Sequence, residues 1–368
     1  MKVKFGDIVR EVKLNVDRTN NPYEFYVAGD HMDGEDLTIR RKGRFDTDDV
    51  GPAFTRIFRP GQILYGSRRT YLKKVAVADF DGICSNTTFI LESKEPNFFC
   101  QELLPFIMLS EAFTKWSVSH SKGSTNPYVL FSDLAGFTLN LPSLDEQKVL
   151  ADKLWAAYRV KESYRKLLAA TDDMVKAKFV EMFGGEEQIC IGDVLKTTSG
   201  GTPSSKNSSY YEGGAIPWLT SGEVRQGYIC STENFITESG LSNSSAKWIP
   251  ANSVVIAMYG ATVGNVGILQ IPVTTNQAIC SILPDEKYLP VFLYHALQQK
   301  YDWMISQARG AAQPNISQQI IRQMEIPSVS IIKQQQFVDV ATQAEATKAS
   351  LRQSIESIDR VIKSLINQ

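Results

Sequence analysis

The chain is poor in the residues from which catalytic and metal centres are built. Among 368 residues only three are histidines, and His31, His120 and His295 stand far apart, which excludes a histidine-based metal cage. The five cysteines (Cys84, Cys100, Cys190, Cys230, Cys280) form no Cys-x-x-Cys pair and are odd in number. They read as reduced thiols of a cytoplasmic protein, neither a zinc site nor a disulfide frame. No apolar run reaches the eighteen or so residues of a membrane span, and Met1-Lys2-Val3-Lys4-Phe5 is not the start of a signal peptide. Charge of one sign is not in excess either: the net charge is −1, which speaks against a bulk polyelectrolyte binder.

Catalytic motifs are missing as well. There is no phosphate-binding Gly-x-x-x-x-Gly-Lys-Ser/Thr loop and no Gly-x-Ser-x-Gly elbow. Asn126-Pro127-Tyr128 lacks the second proline of the amino-methyltransferase Asn-Pro-Pro-Tyr loop. Pro284-Asp285-Glu286-Lys287 lacks the strand and paired acid of a nuclease and reads as a charged turn. Gly260, Gly264 and Gly267 lack the strand–helix context and downstream acid of a dinucleotide site; they predict a tight hairpin or a close backbone approach to a ligand.

What is present is a duplication. The heptad series Leu150, Leu154, Ala157, Lys161, Tyr164, Leu168, Thr171, Val175 returns 187 positions later as Phe337, Ala341, Ala344, Lys348, Leu351, Ile355, Ile358, Ile362, and Leu365 extends it. The segment Leu144 to Phe183 has no internal Pro or Gly, with Asp145 near its N-cap and Gly184-Gly185 as its stop. It predicts a helix of about 33 residues, roughly 50 Å long; Ile331 to Gln368 predicts a second. Narrow amphipathicity favours a helix–helix seam of Leu150, Leu154, Ala157, Tyr164, Leu168 and Val175 against Phe337, Ala341, Ala344, Leu351, Ile355, Ile358, Ile362 and Leu365. The bland alternative is that each helix packs only on its own domain.

Each helix follows a globular stretch. Short apolar runs such as Gln62–Tyr65, Val75–Ala78 and Thr87–Leu91 read as strands, and Gln101–Ser119 as a helix. Echoes recur in order: Phe5-Gly6-Asp7-Ile8 with Ile191-Gly192-Asp193-Val194, Pro60-Gly61-Gln62 with Pro250-Ala251-Asn252, Ser85-Asn86-Thr87 with Thr275-Asn276-Gln277, and Gly123/Pro127 with Gly310/Pro314. The expected fold is α/β (α+β): two pseudo-symmetric globular domains, 1–142 and 186–329, separated by helices at 143–185 and 330–368. With each domain's ends close together the helices run antiparallel, and the heads are related by an approximate two-fold axis like that of duplex DNA, with half-sites about 34 Å or somewhat more apart.

The remaining chemistry is that of recognition. Between Leu37 and Val75 ten Lys or Arg face three Asp, a local excess suited to phosphate contacts, although a solvated basic face has the same composition. Arg40, Arg41, Lys42, Arg44, Arg68, Arg69, Tyr71 and Lys73 are candidate DNA-binding residues there. The loop Lys122, Ser124, Thr125, Asn126, Tyr128 adds polar groups that can read base edges. The second half offers Thr202, Ser204, Lys206, Tyr210, Ser221, Tyr259, Thr262, Arg309, Gln313 and Asn315, a palette relying on hydrogen bonds more than charge: eight basic residues face nine acidic ones between Gln188 and Ser330.

These residues resemble the specificity (S) subunit of Type I restriction-modification systems. The marks are Thr198-Ser199-Gly200-Gly201-Thr202-Pro203-Ser204, Met258-Tyr259-Gly260-Ala261-Thr262-Val263-Gly264, Asn276-Gln277-Ala278-Ile279 and Ile326-Pro327 before Lys333-Gln334-Gln335; Gly61 to Arg69 and Leu141-Pro142 with Glu146-Gln147 play the same parts in the first half, which lacks the Gly-Gly-Thr-Pro pattern. The resemblance implies two target-recognition domains on an antiparallel coiled coil, a bipartite asymmetric double-stranded DNA target, two methyltransferase (modification) subunits as partners and a restriction subunit in the full complex. It implies no metal, catalytic residue or cofactor in this chain; S-adenosylmethionine, ATP and Mg²⁺ would serve the partners. A stand-alone DNA methyltransferase or nuclease with unrecognised motifs, and a structural dimeriser whose heads bind protein, are the other classes.

Overall fold

The computed structural model describes residues 1–17, 20–310 and 314–367. The chain divides into two compact units, one formed by Met1–Arg165 with Arg352–Gln368, the other by Lys166–Leu351. Each therefore holds one α/β head and half of each long helix.

The heads share one plan. In the first, Val9–Glu11, Thr88–Ser93, Ile63–Gly66 and Val75–Val77 form a four-stranded sheet in that order; Gly43–Arg44, Phe25–Val27, Gly82–Ser85 and Phe54–Phe58 form another. In the second, Thr197–Ser199, Ile279–Ile282, Val254–Ala257, Val266–Leu269 and Tyr228–Ile229 form a five-stranded sheet, and Phe235–Ile236, Ile216–Leu219, Val273–Thr275 and Trp248–Ile249 a four-stranded one. A parallel pair sits at the same place in both, Phe25–Val27 on Gly82–Ser85 and Ile216–Leu219 on Val273–Thr275. Strand side chains alternate between two cores, as a period of two demands: Ile63 and Tyr65 face the helices while Leu64 enters the core between the sheets. Val254 and Ile256 are divided from Val255 and Ala257 in the same way.

Strand registers place Ile63 opposite Leu91 and Val77, and Val254 opposite Ile282 and Ile268. Gly61 therefore matches Asn252, and Asn86 matches Gln277, one residue away from the pairings read by composition. The matched residues take the same left-handed backbone, Gly61 at φ 84° and Asn252 at φ 65°, and each N–H donates to its neighbouring strand, at 2.8 Å to Ala78 and 2.7 Å to Leu269. The predicted helix Gln101–Ser119 is in fact broken. Ser110 is extended (φ −62°, ψ 152°) and its Oγ accepts from Phe113 N–H, capping a new helix, Glu111–Ser119, after Leu104–Leu109.

The long helices run from Leu144 to Phe183 and from Ile331 to Ile366, 40 and 36 residues, so the first is about 60 Å long. Its cap is Ser143 rather than Asp145: Ser143 N–H donates to Glu146 Oε2 (2.9 Å), and the Ser143 hydroxyl contacts both the Glu146 carboxylate and its N–H. In the first unit the early part of one helix meets the late part of the other, Leu154 and Tyr158 with Ile358, Ile362 and Leu365. In the second, Val175, Phe179 and Phe183 meet Phe337, Ala341 and Ala344. The pairing is antiparallel in both. None of the fourteen named seam residues is fully exposed, yet the seam is not separate from the heads: the same buried clusters contain both seam and sheet residues. The two ways of reading the stripe are thus both realised.

The polar breaks in the stripe are satisfied. Lys161 and Lys348 are 5% and 8% exposed, and their Nζ atoms reach Asp359 (2.5 Å) and Asp172 (2.6 Å). The two aspartates are themselves 187 positions apart, so one ion pair is the copy of the other. Thr171 Oγ1 donates to Leu167 O at 2.7 Å. Removing one partner of a buried pair strands the other charge, whereas an apolar replacement of both is close to neutral. Asp359 is itself 38% exposed, so water screens the pair, and Asp359→Ala is expected to cost about 1–2 kcal/mol in urea denaturation, with Lys161→Met added to it restoring most of that loss. An unchanged midpoint in the single variant would show that the pair contributes nothing.

One buried glutamine fastens each helix start to its head. Gln147 accepts from Cys100 N–H (3.0 Å) and donates to Phe98 O and Pro142 O; Gln334 accepts from Leu289 N–H (2.9 Å) and donates to Lys287 O and Val329 O. His295 lies against Phe337 with ring centroids 5.3 Å apart, and its Nε2 has no partner. Burial, with Lys348 nearby, pushes its pKa down to about 4. The unfolded chain takes up this proton near pH 6.5 and the folded one only near 4. Stability is therefore full above about 6.5 and falls between those values, by roughly 3 kcal/mol at most. His295→Gln is expected to flatten that part of the stability–pH curve; an unaltered curve would assign the slope to other groups.

Candidate nucleic-acid interface

In each head two loops close on one another through the same backbone contacts. In the first, Arg69 N–H donates to Pro127 O (2.7 Å), Val129 N–H to Ser67 O (3.0 Å), and Tyr128 bridges both Arg68 and Lys122. In the second, Gly260 N–H donates to Pro314 O (2.9 Å), Ile316 N–H to Met258 O (3.0 Å), and Asn315 bridges both Tyr259 and Arg309. Left-handed residues match as well: Arg69 (φ 50°) with Gly260 (72°), Lys73 (48°) with Gly264 (82°), Gly123 (88°) with Gly310 (98°). At the first two positions one head uses glycine and the other a long cation. A non-glycine residue there costs of order 1 kcal/mol and persists where the surroundings hold it.

The basic run of the first head is mostly paired with acids outside it. Arg40 is held by Asp36 (2.6 Å) and Glu162 (2.6 Å), Arg41 by Asp33, Arg44 by Glu24 and Asp46, Arg56 by Glu11, Arg59 by Asp81 and Lys73 by Glu35. Lys42 lies 3.4 Å from the Phe25 ring centroid. Asp36 also accepts from Tyr158 Oη (2.6 Å) and pairs with Arg165. Burial raises the Asp36 pKa, but the Arg40 and Tyr158 hydrogen bonds outweigh it and hold the carboxyl below its usual range. Arg40 thus fastens its segment to the first long helix, and Arg40, Arg41 and Arg44 are all engaged by carboxylates. Lys122 pairs with Asp133 (3.1 Å). Among the described residues Arg68 and Arg69 are exposed with no carboxylate partner, beside exposed Tyr71, Tyr128 and the loop Ser124, Thr125, Asn126. Those are the residues the first head brings together.

The Gly-Gly-Thr-Pro segment of the second head has a steric origin. A Cβ on Gly200 would lie 1.8 Å from Thr275 O, and one on Gly201 2.6 Å from the Ser245 backbone. This close approach lets Gly201 N–H donate to Thr275 O (2.9 Å) and Trp218 Nε1 to Gly201 O (3.1 Å), and it sets Thr202 Oγ1 on Gln277 Oε1. Gln277 is a site residue the sequence reading left out, although the Asn276-Gln277 echo marked it. Ser204, Lys206, Arg309 and Asn315 are exposed, as is Tyr259 at 40%. Thr262 Oγ1 donates to Tyr259 O, Ser221 opens a short 3-10 turn, and Tyr210 is half-buried with its carbonyl accepting from Thr237 N–H. Gln313 lies outside the described residues. Among the described residues no cluster of His, Cys, Asp or Glu could hold a metal ion, and no helix is long and apolar enough to cross a membrane.

The class defined by these features is an internally duplicated protein with two loop-bearing α/β heads, each packed on paired long helices. Residues 185–360 match the Type I restriction modification DNA specificity domain. The Type I restriction enzyme HindI specificity subunit of Haemophilus influenzae is 22% identical, with 98% of this chain and 97% of that protein covered. The EcoR124I/EcoR124II specificity subunit of Escherichia coli is 27% identical over 177 residues, 47% of this chain. The chain spans under half the length of that relative (44%) and of the MjaIX specificity subunit of Methanocaldococcus jannaschii (41%). The crystal structure of the S subunit from M. genitalium aligns with TM-score 0.55 at 15% identity, covering 100% and 94% of the two chains. A chain from a structure of the type I R-M system aligns with TM-score 0.60 at 18% identity, covering 100% and 96%; both likenesses show the fold. The chain is thus similar in sequence to specificity subunits of Type I restriction-modification systems, and similar in fold to S-subunit structures.

Proposed function

We propose that this chain is the non-catalytic DNA-reading subunit of a restriction-modification complex, with domains 1–142 and 186–329 each reading one half of a bipartite, asymmetric target. The observation that carries this is the pair of loop sites with identical backbone contacts and different side chains. Arg68 and Arg69 in one head and Thr202, Gln277 and Asn315 in the other are suited to different base and phosphate patterns. The helices at 143–185 and 330–368 would carry two methyltransferase subunits, which bring S-adenosylmethionine, and restriction subunits that use ATP and Mg²⁺.

Footprinting of the assembled methyltransferase complex is expected to give two protected patches around an unprotected spacer; one contiguous patch would count against the reading. Incubating the purified chain alone with DNA, S-adenosylmethionine and Mg²⁺ is expected to give neither methylation nor cutting. Either product would favour the stand-alone enzyme.

A further inference from the structure

The two units differ in charge at one matched place, where a loop end meets a long helix. Val77 N–H donates to Leu37 O (2.8 Å) in the first unit and Ile268 N–H to Gly227 O (2.7 Å) in the second. Leu37 therefore matches Gly227, and two residues earlier Glu35 matches Arg225. Lys73 matches Gly264, and the 187-residue shift matches Lys363 with Lys176. In the first unit the Glu35 carboxylate is held between Lys73 (2.9 Å) and Lys363 (3.0 Å), and the space beside these three is about 60 Å³. In the second unit a guanidinium stands where that carboxylate was, and glycine replaces the loop lysine. Lys176, Arg225 and Gly264 line a groove of about 470 Å³, with Asn265 and Asp302 among its other walls. Lys176 and Arg225 are exposed, and among the described residues neither makes an ion pair, with Asp302 or any other carboxylate. One head thus closes the place with its own carboxylate, and the other leaves two cations facing an open groove.

We propose that Lys176 and Arg225 form the phosphate seat of the second head and hold a backbone phosphate of the DNA; the proposal rests on the DNA-reading role given above. Two unpaired cations on one groove call for an anion, and a guanidinium fork beside a point-charge ammonium suits phosphate oxygens. The occupant is DNA because the groove continues the candidate interface. The loop that begins at Met258 makes the loop site through Gly260 N–H and Pro314 O (2.9 Å), and Gly264 at its far end lines the groove. The residues singled out in the loops of this head are mostly uncharged, so a charge contact of its own has to come from beside them. Asp302 opposes the same phosphate, which gives the site a sign that can be tested in both directions.

The test measures binding of target DNA by the full chain assembled with its methyltransferase subunits, over a salt series. Lys176→Ala with Arg225→Ala is expected to weaken binding about tenfold at low salt and to lower the slope of log K against log salt by about one to two. Arg225→Lys should keep the slope. Asp302→Asn should strengthen binding about two- to threefold, a gain that damage to the fold does not produce. DNA in which single phosphates are replaced by neutral methylphosphonates then locates the contact. One such replacement, in the half-site read by the second head, is expected to weaken the unaltered complex and to leave the double variant indifferent. An unchanged slope in the double variant, weaker binding by Asp302→Asn, or no phosphate to which the variant is indifferent would overturn the proposal. So would a double variant that no longer assembles with the methyltransferase, since the groove would then hold an acidic side chain of that partner. Failure of the unaltered complex to bind DNA would remove the DNA-reading role itself, and the proposal with it.

Discussion

Replacing Arg68 and Arg69 by alanine is expected to weaken DNA binding by about ten- to a hundredfold at low salt and to lower the slope of log K against log salt by about one to two. The arginines are the exposed cations of the first loop site that lack a carboxylate partner, whereas Arg40, Arg41, Arg44 and Lys73 are tied to Asp36, Asp33, Asp46 and Glu35. A phosphate gains most from a cation that need not abandon another anion first. Arg41→Ala is therefore expected to move the slope much less than the double variant. Fluorescence anisotropy over a salt series measures both. An unchanged slope in the double variant would remove the phosphate assignment; an equal effect of Arg41→Ala would restore the whole basic run to the interface.

Gly200→Ala is expected to disable the second head while sparing the first. The added carbon would sit 1.8 Å from Thr275 O and 2.4 Å from Thr275 Oγ1. Backbone cannot yield to that as a flexible side-chain tip can, so the segment must lift. Lifting breaks the Gly201–Thr275 hydrogen bond, uncovers Trp218 Nε1 and parts Thr202 from Gln277. The cost is expected to reach about 3 kcal/mol or more. Methylome sequencing of cells carrying the variant should show loss of methylation at the native target, and calorimetry should show a lower melting temperature for the second unit. Normal methylation would mean that the loop tolerates a side chain and that the close approach is not required for reading.

Much of this architecture is visible in the residues because helical and strand periodicities are local. The span Leu144–Phe183 follows from a heptad pattern free of proline and glycine and from the glycines after it, and the duplication from two matching series. The helix break at Ser110 was hidden, because its neighbours are apolar at helical spacing on both sides and only a side-chain cap separates them. The one-residue offset between Gly61 and Asn252 was hidden too: proline and glycine attract the eye, while the feature held in common is a left-handed backbone that asparagine adopts as well.

The candidate site divides along the same line. Residue types at Lys122–Tyr128 and Arg309–Asn315 marked two loops, but not the loops on which they close. Charge counting grouped Arg40 with Arg69. Only the folded chain separates them, because Asp36 and Glu162 reach Arg40 from elsewhere in the sequence.

The order of amino acids by itself settled the repeat, the two long helices and the kinds of side chain placed at each loop, because these depend on near neighbours and fixed spacing. Tertiary structure decided which cations are paired with carboxylates, why Gly200 can be nothing larger, and that the seam merges with each head's core. These rest on contacts between residues tens to hundreds of positions apart, where only packing and electrostatic pairing across the folded chain can choose.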